Sequence, residues 1–247
     1  MSGHSKWATI KHKKGALDAK RGKIFTKIIR EITIAAKLAG GDIEANPRLR
    51  TAVLKAKSEN MPKDNIARAI KKGVGGLDGV NYVELTYEAY GPGGVALIIE
   101  ALTDNKNRTA ADVRSLLTKG GGNLGESGSV SYLFQRKGII AYSAEKYTED
   151  EIFETALDSG AEDVKTEGDI IEVITAPEDF EPVLEALQAA EYEQLSAEIM
   201  KIAEVMVELT NEKTSKVLRL IDRIEDLDDV QTVSSNLEIP DEYEPED

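Results

Sequence analysis

The chain has 247 residues, 41% of them hydrophobic, a mean hydropathy of −0.33 and a formal charge of −14. That length exceeds the roughly 100 to 150 residues of a common single domain, so two or three domains are expected in a soluble, globular chain. No apolar run approaches the roughly 18 residues of a membrane span, and a cysteine count of zero excludes disulfides, thiol catalysis and thiolate metal sites.

The N-terminus shows no apolar stretch ahead of a small-residue cleavage site, and residue 2 is Ser rather than Gly, so a cytoplasmic location is expected. The overall charge hides a division. Residues 1–72 carry 13 Lys and 5 Arg against 3 Asp and 3 Glu, a net of +12, which leaves −26 on the other 175 residues. A basic head precedes an acidic body, and such asymmetry is informative where the total is not.

Residues 1–20 lack hydrophobic periodicity and read as a flexible basic arm. From Arg21 the steps Phe25, Ile28, Ile32, Ala35 and Ala39 predict a helix that Gly40-Gly41 ends, and Lys20, Lys23, Lys27 and Arg30 form a second, basic stripe along it. Asn46-Pro47 announces a second helix reaching about Asn60, with Leu49, Ala52, Val53 and Ala56 inward. A third runs from about Pro62 to Lys72 with Ile66, Ala69 and Ile70 inward, and Gly73-Val74-Gly75-Gly76 reads as a linker.

The period then shifts to two. NYVELTYEAY and VALIIEALT predict a hairpin through Gly91-Pro92-Gly93-Gly94, followed by a helix over 107–119, the loop GGGNLGESG and a strand VSYLF. KGIIAY, DEIFETAL, AEDVKT, DIIEVIT, EDFEPVLEALQ and LSAEIMKI read as βαββαβ, a ferredoxin-like unit. VMVELT, a helix around 213–228 and the strand VQTVSS come next, and the end IPDEYEPED reads as disordered. The expected fold class is α+β: a helical N-terminal domain plus two mixed α/β domains, one ferredoxin-like and inserted into the other. The expected boundaries are a basic arm (1–20), a helical domain (21–76), a middle domain (77–135 with 206–236), an inserted ferredoxin-like domain (136–205) and an acidic tail (237–247).

Catalysis has little support in this pattern. His4 and His12 lie eight residues apart in an unstructured arm, without the one-turn spacing that would set both on one metal, and no rigid partner is in place to hold either as a base. Nucleophile elbow, phosphate-loop lysine and zinc signatures are all missing, so no catalytic residue, metal or cofactor is expected. The many carboxylates read as a solvated face. GGGNLGESG matches a phosphate cradle only in glycine content, and a plain flexible loop is the better reading.

The arm differs. Lysines interleaved with an exposed aromatic and two imidazoles suit extended binding to nucleic acid, because cations displace phosphate counterions and flat groups stack on bases. The candidate contacts are His4, Lys6, Trp7, Lys11, His12, Lys13, Lys14, Lys20, Arg21, Lys23, Lys27 and Arg30, with Lys106 and Arg108 at the start of a later helix as a second contact. Arg48, Arg50, Lys55, Lys57, Arg68, Lys71 and Lys72 add to the footprint collectively, although each alone reads as an ordinary solvated cation.

GHSKWATIKHKKGALDAKRGKIFTKIIREI, AAKLAGGDIEANPRLRTAVLKAK, NMPKDNIARAIKKG, YEAYGPGGVALIIEALTDNKNRTAADVR and GGNLGESGSVSYLF together resemble the YebC family, which includes mitochondrial translational activators, over nearly the whole chain. The resemblance implies three domains, one of them inserted, with no cofactor or metal. It also implies one of two roles: DNA-binding transcriptional regulation, or a ribosome-associated factor that contacts ribosomal RNA or tRNA and helps synthesis through proline-rich stretches. The residues themselves mark no recognition helix with Asn, Gln or Arg aimed at base edges, and a stacking arm suits irregular or single-stranded RNA at least as well. The expectation is therefore a non-enzymatic nucleic-acid-binding regulator of gene expression, with DNA-binding transcriptional control first and the ribosome-associated role as the alternative. Neither a membrane nor a small-molecule substrate is expected.

Overall fold

The computed structural model describes residues 17–75, 82–240 and 243, which divide into two compact units. One unit takes the chain up to residue 31, then 82–135 and the residues from 202 onward; the other takes 32–75 and 136–201.

In the first unit, β1 (Val83–Tyr90) and β2 (Ala96–Thr103) form the expected antiparallel hairpin, with Tyr87 opposite Ile99. The turn between them is a short 3-10 segment in which Gly93 and Gly94 take φ of 77° and 80°, the left-handed region that favours glycine. The sheet order is β3-β1-β2-β9, where β3 is Asn123–Leu124 and β9 is Val230–Ser235. Helices α4 (Lys106–Lys119) and α7 (Asn211–Glu225) supply Val113, Leu117, Val217, Leu220, Ile221 and Ile224 to a core shared with Leu97, Ile99 and Val233. A two-stranded parallel pair joins β8 (Val207–Glu208) to β10 (Leu237–Glu238).

In the second unit, β4 (Phe134–Ser143), α5 (Glu149–Asp158), β5 (Asp163–Glu167), β6 (Ile170–Thr175), α6 (Phe180–Ala189) and β7 (Ser196–Ala203) give the sheet order β5-β6-β4-β7. That order with antiparallel neighbours is the ferredoxin-like arrangement. Alternate strand residues Ile140, Tyr142, Val164, Ile171 and Val173 meet Ile152, Phe180, Val183 and Leu187 of the helices. The stretch β4–β7 falls in sequence between β3 and β9 of the other sheet, so the ferredoxin-like domain is an insertion and the fold class is α+β.

The N-terminal helices are α1 (Leu17–Ala39), α2 (Pro47–Ser58) and α3 (Lys63–Val74). Asn46 joins the first two. Its side chain accepts from Leu49 N–H at 3.1 Å, capping α2, and donates to the carbonyls of Ala35 and Gly40 at 2.9 and 2.8 Å, closing the end of α1.

Four expectations change. Helix α1 starts at Leu17 rather than Arg21, because Leu, Ala, Lys and Arg at 17–21 are strong helix formers that need no apolar stripe. Gly73 is not linker: it is buried within α3, where a Cβ would collide with the carbonyl oxygen of Thr33 and the Cβ of Ala36. VSYLF is no separate strand, since Ser131–Leu133 turns as one 3-10 segment and β4 begins at Phe134, while β3 takes the edge position beside β1. Residues 237–240 of the acidic end are packed, because Leu237 and Ile239 are core residues, and Tyr243 lies against the same core.

Candidate nucleic-acid interface

His4, Lys6, Trp7, Lys11, His12, Lys13 and Lys14 lie outside the described residues. Lys20 and Arg21 fall on the first turns of α1, upstream of the described side chains. The rest of the basic stripe has a definite address in the first unit. Helix α7 ends at Glu225 and, like any helix, leaves its last carbonyls without intrahelical partners and its end partially negative.

Lys23 Nζ donates to the Asp226 carbonyl at 3.1 Å, Lys27 Nζ to the Glu225 carbonyl, and Arg30 Nη1 to the Asp228 carbonyl at 2.6 Å. Arg30 also reaches Asp229 Oδ1 at 2.8 Å and lies 5.7 Å from the ring centre of Tyr82. The stripe caps a helix.

Arg108 turns to the same aspartate. Its Nε and Nη2 donate to Asp229 Oδ2 at 3.1 and 2.7 Å, and Nη2 also reaches Asp104 Oδ1 at 2.8 Å. The hydroxyls of Thr103 and Thr109 donate to Asp229 Oδ2 at 3.1 and 2.9 Å. Burial pushes the Asp229 carboxyl upward, but the bonds from Arg108, Thr109, Arg30 and Thr103 outweigh it and hold the group below its ordinary value. Its hydrogen bonds to Asp229 and Asp104 push the Arg108 guanidinium higher still. Lys106, two residues earlier, stays exposed.

In the second unit, Arg50 forms a two-pronged pair with Glu181, Nε to Oε1 at 3.0 Å and Nη2 to Oε2 at 2.7 Å, and Lys55 reaches Glu198 at 2.7 Å. These pairs fasten α2 to α6 and β7. What stays outward is the polar face of α3. Ile66, Ala69 and Gly73 are buried, whereas Lys63, Arg68, Lys71 and Lys72 are exposed. Lys63 and Lys71 share one row of the helix and Arg68 and Lys72 the next. Arg68 holds its place by bonds to Asn65 and to the Asp64 carbonyl. Lys63 is not among the basic residues picked out from the sequence; its place on the same helix as Lys71, eight residues before it, was the available signal.

The glycine-rich loop is also resolved by an internal partner. Glu88 on β1 accepts from the backbone N–H groups of Gly128 at 2.7 Å, Val130 at 2.7 Å and Ser131 at 2.8 Å. A carboxylate of the chain itself thus takes up these N–H groups. Burial raises the Glu88 value, and the three backbone donors overcome that and lower it. Nothing in the spacing of β1 marks Glu88 for this task.

A helical N-terminal segment followed by two mixed domains, one inserted in the other and with opposite charge on head and body, defines the class of α+β protein. Residues 5–76 match the family model described as the TACO1/YebC protein N-terminal domain, and residues 82–237 match the TACO1/YebC second and third domain. The chain belongs to the TACO1/YebC family. It is 62% identical over 244 residues to a protein of Treponema denticola named "Probable transcriptional regulatory protein", covering 99% of both chains. It is 63% identical over 242 residues to a protein of the same name from Borreliella burgdorferi, covering 98% of this chain and 99% of that one. Among solved structures, a conserved hypothetical protein of Aquifex aeolicus aligns with a TM-score of 0.84 at 48% identity, over 91% of this chain and 93% of that one.

Proposed function

We propose that the chain is a non-enzymatic regulator of gene expression that binds nucleic acid, with transcriptional control on DNA as its role. The observation that carries this reading is the division of charge, +12 on residues 1–72 against −26 on the rest. A polyanion is repelled by the body, so it meets the head. The proposed contacts are His4, Lys6, Trp7, Lys11, His12, Lys13, Lys14, Lys20 and Arg21, supported by the outer face of α3 at Lys63, Arg68, Lys71 and Lys72. Lys106 keeps its place as a second contact. Lys23, Lys27, Arg30 and Arg108 leave the set, because each is engaged at the end of α7 or on Asp229. The name carried by the treponemal and borrelial relatives supports the regulatory role.

The test is fluorescence anisotropy with a labelled duplex promoter fragment, a scrambled duplex and a folded RNA. The affinity should fall with salt at a slope of about −0.9 per duplex phosphate contacted, or about −0.7 for single strands. Preference for the promoter duplex supports transcriptional control. Equal binding to the scrambled duplex, together with tighter binding to the folded RNA and sedimentation with ribosomes, assigns the same residues to translation. A flat salt response removes nucleic acid from the function altogether.

A further inference from the structure

Arg68 on α3 is exposed, yet its guanidinium is held in place. Nε donates to the Asp64 carbonyl at 3.2 Å and Nη2 donates to Asn65 Oδ1, so one edge of the group is fastened to the preceding turn. Arg30, Arg50 and Arg108 are fastened instead by the carboxylates of Asp229, Glu181 and Asp104, which offset their charge. The acceptors beneath Arg68 are a peptide carbonyl and a side-chain amide, both neutral, and no ion pair joins it to a carboxylate among the described residues. A guanidinium has five N–H donors. With one edge engaged, the fork formed by Nη1 and the second hydrogen of Nη2 stays open, and the positive charge stays whole.

The helix around it suits an anion. Ala67, beside Arg68, is exposed and short, and leaves room for a ligand to approach the helix surface. Lys63 and Lys71 stand four residues to either side of Ala67 on one row, about 12 Å apart, and Lys72 follows Arg68 by one turn. Asp64, the one acid of α3, occupies the first turn, where the helix end is partially positive.

We propose that Arg68 is a pre-formed two-pronged clamp for one backbone phosphate of the nucleic acid bound by this chain, with Asn65 as its positioning residue, an inference that rests on the nucleic-acid reading above. Two oxygens of a phosphodiester accept from the two parallel N–H groups of the open fork, a pairing stronger and more directional than the point charge of a lysine. Because the side chain is ordered before the ligand arrives, less conformational freedom is lost on binding. The clamp reads no base. It fixes where α3 sits along the backbone, while Lys63, Lys71 and Lys72 supply the salt-dependent attraction.

Anisotropy of the full chain with the labelled duplex and the folded RNA separates a clamp from plain charge. Arg68→Lys keeps the charge and loses the fork, so it should weaken binding about tenfold, the worth of one charge-assisted hydrogen bond, with the salt slope unchanged. Lys71→Arg should stay within about twofold of the parent, and Lys71→Ala should make the slope shallower by about one phosphate. Asn65→Ala removes no charge, yet it should weaken binding about 2- to 10-fold. Nitrogen relaxation on the free chain should show a rigid Arg68 Nε–H in the parent and a mobile one in Asn65→Ala. Should Asn65→Ala lower the melting temperature, Arg68→Lys, a change at the surface, decides alone. If the parent binds and Arg68→Lys binds equally well, the clamp is wrong and the nucleic-acid reading stands. An Arg68 Nε–H as mobile in the parent as in Asn65→Ala also overturns the clamp. If the parent binds neither the duplex nor the RNA, both readings fall.

Discussion

Asp229 accepts hydrogen bonds from Arg30, Arg108, Thr103 and Thr109 while its side chain is only 8% exposed. Removing the carboxylate leaves the largely buried Arg30 without its acceptor, whereas removing Arg30 leaves Asp229 its bonds from Arg108, Thr103 and Thr109. Asp229→Ala should therefore cost about 3 kcal/mol of stability and Arg30→Ala about 1 to 2, both read from the denaturation midpoint. The folded Asp229 value lies below the unfolded one, so its contribution is present above about pH 4 and is lost as acid carries the pH through the folded value. Glu172 behaves in the opposite sense. It is fully buried on β6, neither carboxyl oxygen has a hydrogen-bond partner, and Lys165 Nζ is 3.7 Å away with Glu167 beyond it. Burial, opposed by Lys165 and reinforced by Glu167, pushes it from 4.5 up to about 7. Folding thus takes up a proton between those values, and stability declines as pH rises from about 4.5 to 7. Glu172→Gln should flatten that slope and stabilise the chain at pH 8 by up to roughly 2 kcal/mol, as thermal melts across pH would record. None of this was legible in the sequence, where Asp229 and Glu172 are two among 45 acids and read as solvated.

The loop at 120–131 shows how an element acquires rigidity from outside itself. Its glycines predict flexibility, yet one carboxylate on β1 clamps three of its N–H groups. Glu88→Ala should raise backbone hydrogen exchange at Gly128, Val130 and Ser131 while leaving the β1–β2 ladder protected, a pattern that a general loss of stability would not produce. Helix α3 makes the complementary case. Gly→Ala in an exposed helix interior usually stabilises by about 1 kcal/mol through propensity, but at Gly73 the added methyl meets the Thr33 carbonyl and Ala36. Gly73→Ala should destabilise by about 1 to 3 kcal/mol, reversing the usual sign, as a denaturant titration would show. The type and order of the elements were readable because hydrophobic period is a local property. The turn at Ser131–Leu133 and the helical place of Gly73 were misread because both depend on neighbours distant in sequence.

Over the whole molecule, charge is the property that links sequence to role. Deleting residues 1–16 removes Lys6, Lys11, Lys13 and Lys14 and leaves in place every core residue named above. The melting temperature of the truncated chain should stay close to that of the parent, while affinity for nucleic acid at about 100 mM salt should fall by an order of magnitude or more, with a shallower salt slope. The sequence by itself determined the two periods, the element order, the ferredoxin-like insertion, the division into basic head and acidic body, and the family, because each is written in neighbouring residues or in their sum. Only the tertiary structure decided which cations remain available outside. Lys23, Lys27 and Arg30 find partners about 200 residues away, Arg108 finds one about 120 away, and Arg50 and Lys55 find theirs across the second unit. A cation carries the same charge in the sequence whether it caps a helix or faces a phosphate, and chain folding brings the competing carboxylates and carbonyls within reach.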